Sequence, residues 1–216
     1  MRFYRSHFVY APPFYHQPHH QRLITGESSP DYIFDLHAPK RIATCLPNVK
    51  LIVLLRNPVD RAYSHYLHNV RAAWDMDREP LSFEAAIAAE EGRLQGEREK
   101  LLQDDSYFSY SYMHYSYLAR GLYADQLDIW FSLFSREQML ILKSEDLLDN
   151  PSRIFRQVLE FLELPMWQLP EYESFNAKNK DSTPINPDTR LQLVKYYQPH
   201  NERLSDLLKI PLNWDF

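Results

Sequence analysis

The sequence predicts an α/β fold in which a mostly parallel sheet is flanked by helices. Three features predict it. Two short runs of branched apolar residues, Leu51 to Leu55 and the Met-Leu-Ile-Leu run ending at Leu142, read as interior strands. Each is followed by polar residues and a helix-start signal, Asn57-Pro58 after the first and Asn150-Pro151 after the second. The remaining segments carry apolar residues at helical spacing, so that one face of each can pack on the sheet. The chain of 216 residues is long enough for one domain, residues 1–216, with a real core.

The stretch from Lys50 to Tyr66 organises the rest. Its first half is the strand Leu51 to Leu55, expected to be buried on both faces. Its second half opens a helix, with Asn57 as cap, Pro58 at the first position and Asp60 near the positive end of the dipole. Arg56 thus falls at the carboxyl end of an interior strand, where ligands bind in open parallel sheets. Ser64 follows Asn57 by two turns and lies on roughly the same helix face. A planar guanidinium and a hydroxyl in this arrangement can grip one phosphate or sulfate from two sides. A strand-to-helix turn that merely ends in Arg fits the same residues.

The other elements follow in order. Residues 1–21 are rich in His, Tyr, Phe and Pro, and His16, His19 and His20 sit close together. With no helix period and no carboxylate or Cys nearby, a surface loop is the default over a metal site. Leu23 and Ile24 form a short strand ending at Gly26, which makes Glu27 a solvated strand end. A short helix spans Ala38 to Leu46, and Cys45 reads as a small buried residue. The helix from Asn57 runs to about Ala73. Ser82 caps the next helix, in which Glu90, Glu91 and Arg93 read as a solvated face. Residues 96–116 read as a loop or helix–helix connection, and their tyrosines as amphipathic filler before a stacking platform. Tyr117 to Phe134 is expected to be one amphipathic helix, in which Gly121 costs about 1 kcal/mol against Ala and needs a close approach to justify it. After the second strand come Lys143, Ser144 and Glu145, a turn from Asp146 to Asp149, and a helix ended by Pro165 and Pro170. Asn186 caps a final helix that stops before Pro199.

Composition narrows the function. The net charge of −5 leaves no basic footprint for nucleic acid and no general attraction to anionic membrane. No apolar run reaches membrane-spanning length, and the basic start lacks the apolar stretch of a secretory signal. The single cysteine cannot form an internal disulfide, which points to a reducing, cytoplasmic compartment. The four glycines form no phosphate cradle of the Gly-x-x-x-x-Gly-Lys type.

The segment Arg56-Asn-Pro-Val-Asp-Arg-Ala-Tyr-Ser-His-Tyr66 resembles the 3′-phosphate-binding motif of sulfotransferases that use 3′-phosphoadenosine-5′-phosphosulfate (PAPS). Further matches follow: Gly26-Glu27-Ser28-Ser29-Pro30-Asp31-Tyr32, Arg120-Gly-Leu-Tyr-Ala-Asp-Gln-Leu127, and Tyr197-Gln-Pro-His-Asn-Glu-Arg-Leu204 with Trp214-Asp215. The chain is most similar to bacterial members akin to the heparan-sulfate N- and O-sulfotransferases. The resemblance implies a three-layer sulfotransferase fold like that of the P-loop nucleoside triphosphatases. It implies sulfonate transfer from PAPS to a hydroxyl or amine, with release of 3′,5′-ADP. It assigns the 3′-phosphate to Arg56 and Ser64, offers Arg120 as a second phosphate contact, and puts Glu27 at the edge of the active site. It also sets Lys178 and Lys180 in a basic loop over the donor, although the glycines of that loop are missing. Some heparan-sulfate enzymes carry an active-site His where Gln126 stands here.

Two family stretches are not found in the sequence: a Gly/Thr-rich loop with the Lys that holds the 5′-phosphosulfate, and a Lys-Glu-x-x-Phe-Phe stretch whose Glu is the base. The expectation is therefore a sulfotransferase domain lacking its N-terminal strand–loop–helix, with the catalytic residues unassigned. The alternatives are a nucleotide 3′-phosphate-binding module and a catalytically inactive fragment. An oligomer, or a complementing N-terminal segment, is expected to cover the free edge of the Leu51–Leu55 strand. The acceptor remains open among polysaccharide, lipid, polyketide and small metabolite.

Overall fold

The computed structural model describes residues 24–71, 79–172 and 183–214. The elements are α1 (Ala38–Cys45), β1 (Leu51–Leu55), α2 (Pro58–Val70), α3 (Phe83–Leu94), α4 (Glu97–Gln103), α5 (Tyr110–His114), α6 (Tyr123–Phe131), β2 (Met139–Lys143), α7 (Ser144–Asp149), α8 (Pro151–Phe161) and α9 (Pro187–Leu208). Among the described residues, β1 and β2 form a two-stranded parallel sheet, with Leu51 opposite Met139 and Leu55 opposite Lys143. Both strands therefore end at one edge, which also holds the starts of α2 and α7. This is the expected α/β class.

Two packed clusters hold the chain together. One surrounds the sheet and contains Leu55, Tyr123, Leu127, Trp130, Met139 and Trp214. The other lies between α2, α3 and α9 and contains Val59, Phe83, Tyr117, Leu193 and Tyr197. Helix α9 serves both, because Tyr197 is buried in the second cluster and Leu204 in the first. The expected stop before Pro199 is corrected: Pro199 lies inside the helix, which runs on to Leu208. A mid-helix proline costs about 3 kcal/mol. Burial of Tyr197 and Leu204 on either side offsets it, at about 1.5–3 kcal/mol for each large side chain.

Other expectations need correction. β1 is buried on one face only: Leu55 is 2% exposed, whereas Ile52 and Leu54 are 43% and 49% exposed. Residues 96–116 are not a plain loop. Gly96 adopts a left-handed φ of 74° at the cap of α4, and Ser109 caps α5 by accepting from the Tyr112 N–H. The turn expected at Asp146–Asp149 belongs to α7, and α8 ends at Phe161, ahead of both prolines. Cys45 is exposed, since it is the last residue of α1 on its outer side.

The helix expected from Tyr117 to Phe134 is interrupted. A 3-10 turn at Ala119–Gly121 precedes α6, and Leu122 between them has φ −82° and ψ 65°. The cause is Glu90, which was expected on a solvated face and is instead 4% exposed. Its carboxylate accepts the N–H groups of Leu118 (2.6 Å) and Ala119 (2.8 Å), which fixes the start of the turn. Burial pushes its pKa up, against those same hydrogen bonds. Glu91, one residue on, is exposed as expected. Gly121 has the close approach it needed: a Cβ there would sit 2.7 Å from Tyr197 Oη, which donates to the Leu118 carbonyl at 2.9 Å.

Candidate donor site at the carboxyl end of the sheet

The backbone of Leu55, Arg56 and Asn57 is held at each residue by a side chain from elsewhere. Ser144 Oγ donates to the Leu55 carbonyl (3.0 Å), and Tyr123 Oη donates to the Arg56 carbonyl (2.9 Å). The Asn57 N–H donates to Glu145 Oε1 at 2.8 Å. Trp214 closes the set: its indole N–H donates to Glu145 Oε2 (3.2 Å), and its carbonyl accepts from Asn57 Nδ2 (3.2 Å). Burial pushes the Tyr123 phenol up to about 12, so it stays protonated and donating at neutral pH. The parallel register makes this possible, because Leu55 faces Lys143 and the next residues of both strands come together.

The start of α2 is closed to ligands through its backbone. Asn57 Oδ1 accepts the N–H groups of Val59 (3.0 Å) and Asp60 (3.4 Å), and Pro58 has none to give. An anion at this edge must be held by side chains. Arg56 is half-buried, and among the described residues no carboxylate or carbonyl engages its guanidinium. Ser64 is exposed on α2, about 10 Å along the axis from the cap. Asp60, between them, is tied to Arg190 of α9 at 2.8 Å. Next to Ser64, Tyr63 Oη donates to the Thr183 carbonyl at 2.6 Å. Lys178 and Lys180 lie outside the described residues, as do His16, His19 and His20.

Arg120 and Glu27 are placed differently. Arg120 is nine-tenths buried, paired with Asp31 at 2.8 Å, and donates to the Met113 carbonyl at 3.0 Å. Its guanidinium also lies 4.7 Å above the Phe34 ring. Burial lowers its pKa, against the Asp31 pair. In this structure the Arg120 guanidinium is thus engaged by Asp31, the Met113 carbonyl and the Phe34 ring. Glu27 is exposed and accepts from Tyr32 Oη at 2.7 Å. Gln126 donates through Nε2 to the carbonyls of Ala119, Arg120 and Leu122, which locks the 3-10 turn onto α6.

Sequence reasoning offered Arg56 and Ser64 as phosphate contacts but did not find the side chains that hold the Leu55–Asn57 backbone. Glu145 was visible only as a carboxylate at the end of the second strand. Its role depends on the parallel register, which a single sequence does not display. His65, next to Ser64 on α2, packs against Tyr117; its Nδ1 is buried without a partner among the described residues, and its pKa is lowered to about 3, first by burial and then by Arg61. Among the described residues, no group of three or more His, Cys, Asp or Glu side chains could hold a metal ion. No described helix is long and apolar enough to cross a membrane.

Comparison with known proteins places the chain in a family. Residues 8–199 match the sulfotransferase domain family. The membrane-associated sulfotransferase kil1 of Dictyostelium discoideum is 27% identical over 99% of this chain and 57% of its own length. The human bifunctional heparan sulfate N-deacetylase/N-sulfotransferase 3 is 30% identical over 84% of this chain and 22% of its own length. The chain thus spans little more than half of one curated relative and under a quarter of the other. A crystal structure of a sulfotransferase from Alicyclobacillus acidocaldarius superposes with a TM-score of 0.68 and 31% identity, covering 88% of this chain and 67% of that one. With the match extending from before β1 into α9, the chain belongs to the sulfotransferase domain family.

Proposed function

We propose that this chain carries the 3′-phosphate half of the donor site of a PAPS-dependent sulfotransferase. The observation that supports it is the contrast at Arg56. Three side chains pin the backbone of this turn, while the guanidinium has no protein partner among the described residues. A turn whose backbone is held in place while its guanidinium stays uncommitted is preorganised to bind a doubly charged phosphate. Ser64 adds a hydroxyl from the outer face of α2. Lys178 and Lys180, offered by the family resemblance as further phosphate contacts, precede Thr183 in sequence, whose carbonyl accepts from Tyr63 of α2.

In the proposed reaction an acceptor oxygen or nitrogen bonds to the donor sulfur as the bond from sulfur to the bridging phosphate oxygen breaks. The acceptor proton passes to a base, and 3′,5′-ADP leaves. Charge developing on the bridging oxygen calls for a fixed cation, and the proton for a group within hydrogen-bond reach. The family's lysine and glutamate for these two tasks are not found in the 216 residues. The second reading is a module that holds the nucleotide without turnover, and it draws on the same uncommitted Arg56 guanidinium. The lone Cys45, with no second cysteine to pair with, supports a cytoplasmic setting for either.

Calorimetry of the full chain with 3′,5′-ADP and with 5′-AMP tests the shared core of both readings. The 3′-phosphate should strengthen binding, and Arg56→Ala should erase that advantage without shifting the melting temperature. Equal binding of the two nucleotides, or an unchanged Arg56→Ala protein, would sink it. Sulfonate transfer from PAPS to a panel of hydroxyl and amine acceptors then separates turnover from binding alone.

A further inference from the structure

A cavity of about 120 Å³ lies between the 31–41 segment and the α4–α5 region. Its floor is aromatic: Phe34 and Tyr112 stack at 4.4 Å with their planes 14° apart. At its rim the Phe108 ring is 65% exposed, the most exposed aromatic side chain among the described core-sized apolar residues. Arg120 also lines it, and the Arg120 Nε–H is buried with no acceptor among the described residues. An unmade hydrogen bond at a buried donor is costly, and a ligand oxygen in the cavity would satisfy it.

Both arginines of the lining are already paired, and its three aspartates outnumber them. Arg120 pairs with Asp31 at 2.8 Å, and Arg41 with Asp105 at 3.4 Å. Asp105 also meets His37 Nδ1 at 3.3 Å, while Asp35 accepts the N–H groups of His37 and Ala38. Among the described residues the cavity thus offers no unpaired guanidinium or ammonium to an anion, and it presents carboxylates to anything that enters.

The cavity is joined to the donor side by one short turn. Arg120 stands three residues before Tyr123, whose hydroxyl holds the Arg56 carbonyl. Three residues span at most about 11 Å. The turn between them is fixed by Glu90, Gln126 and Tyr197.

We propose that this cavity seats the acceptor, and that the acceptor is an uncharged hydroxyl compound with one flat apolar face, such as a neutral sugar ring or a phenol. Its flat face lies on Phe108, an oxygen takes the Arg120 Nε–H, and the carboxylates turn away polyanionic chains. This rests on the sulfotransferase reading above.

Two probes of nearly equal shape test it: 4-nitrophenyl β-D-glucoside, which is neutral, and 4-nitrophenyl β-D-glucuronide, which carries a carboxylate. Each is titrated calorimetrically into the full chain without nucleotide. The glucoside should bind more tightly by about tenfold. Phe108→Ala should weaken the glucoside by a similar factor, and circular dichroism checks that the variant, altered at an exposed side chain, keeps its fold. Asp105→Asn, which removes one lining carboxylate and frees Arg41, should narrow the gap between the probes by improving the glucuronide. Equal or tighter glucuronide binding, no glucoside binding at millimolar concentration, or indifference to Phe108→Ala would each overturn the proposal. Because nucleotide is left out, failure here concerns the cavity alone, whereas failure of 3′,5′-ADP to bind concerns Arg56.

Discussion

Glu145 Oε1 accepts the backbone N–H of Asn57 at 2.8 Å across 88 positions of sequence, and its other oxygen receives the Trp214 indole. One carboxylate thus joins the end of β1, the start of α7 and the C-terminal segment. It sets the direction in which Arg56 leaves the sheet.

Replacing Glu145 by Ala should leave two donors without acceptors, at about 1–3 kcal/mol each if they stay buried. The melting temperature should fall, and 3′,5′-ADP should bind more weakly although no ligand contact was removed. Glu145→Gln, which keeps one acceptor, should lie between. A stable Glu145→Ala protein with unchanged nucleotide affinity would show that this carboxylate does not position Arg56.

Gly121→Ala has opposite expectations from local and tertiary arguments. Helix propensity alone makes Ala better by about 1 kcal/mol. The Tyr197 ring, with its carbons 2.8 and 2.9 Å from the new Cβ, makes it worse, by about 1–3 kcal/mol if the ring must shift in a packed core. Urea unfolding of the variant should show a lower midpoint. A higher midpoint would mean that the ring moves freely.

Stability should fall as the pH drops below about 6.5, because His65 is neutral in the fold and titrates there only near 3. The unfolded chain takes up a proton at its ordinary value of 6.5, so acid favours unfolding throughout the window from 6.5 down to about 3. Glu90, whose pKa is raised by burial, acts in the opposite sense above the ordinary glutamate value. Comparing wild type with His65→Gln removes that shared contribution. The variant should lose less stability between about pH 7.5 and about pH 5.5. Equal losses would assign the acid sensitivity elsewhere.

The exposed Ile52 and Leu54 lie on a strand with a neighbour on one side only among the described residues. Such an edge invites pairing with another chain. Sedimentation should find the isolated chain self-associated, and Ile52→Lys with Leu54→Lys should shift it toward monomer. A monodisperse wild-type monomer would contradict this.

Features that depend on neighbours in the chain were readable from residues alone. Asn57, Ser82, Asn150 and Asn186 each cap the helix they precede, because a cap acts on amides two or three positions away. The two strands are short apolar runs whose ends Pro and charge mark out, and the Arg56–Ser64 spacing follows from helix pitch. Features that depend on distant partners were not. Glu90 looks like any solvated glutamate until the turn at Leu118 brings two amides to it, and Arg120 looks like a free cation until Asp31 arrives from the far end of the chain. Pro199 reads as a stop because its local cost is plain, while the two clusters that carry α9 past it draw on residues as remote in sequence as Leu55, Phe83 and Met139. Local geometry is written in the backbone torsions each residue prefers; which charge is satisfied, and which is left to meet a ligand, is settled by the packing that brings remote segments together.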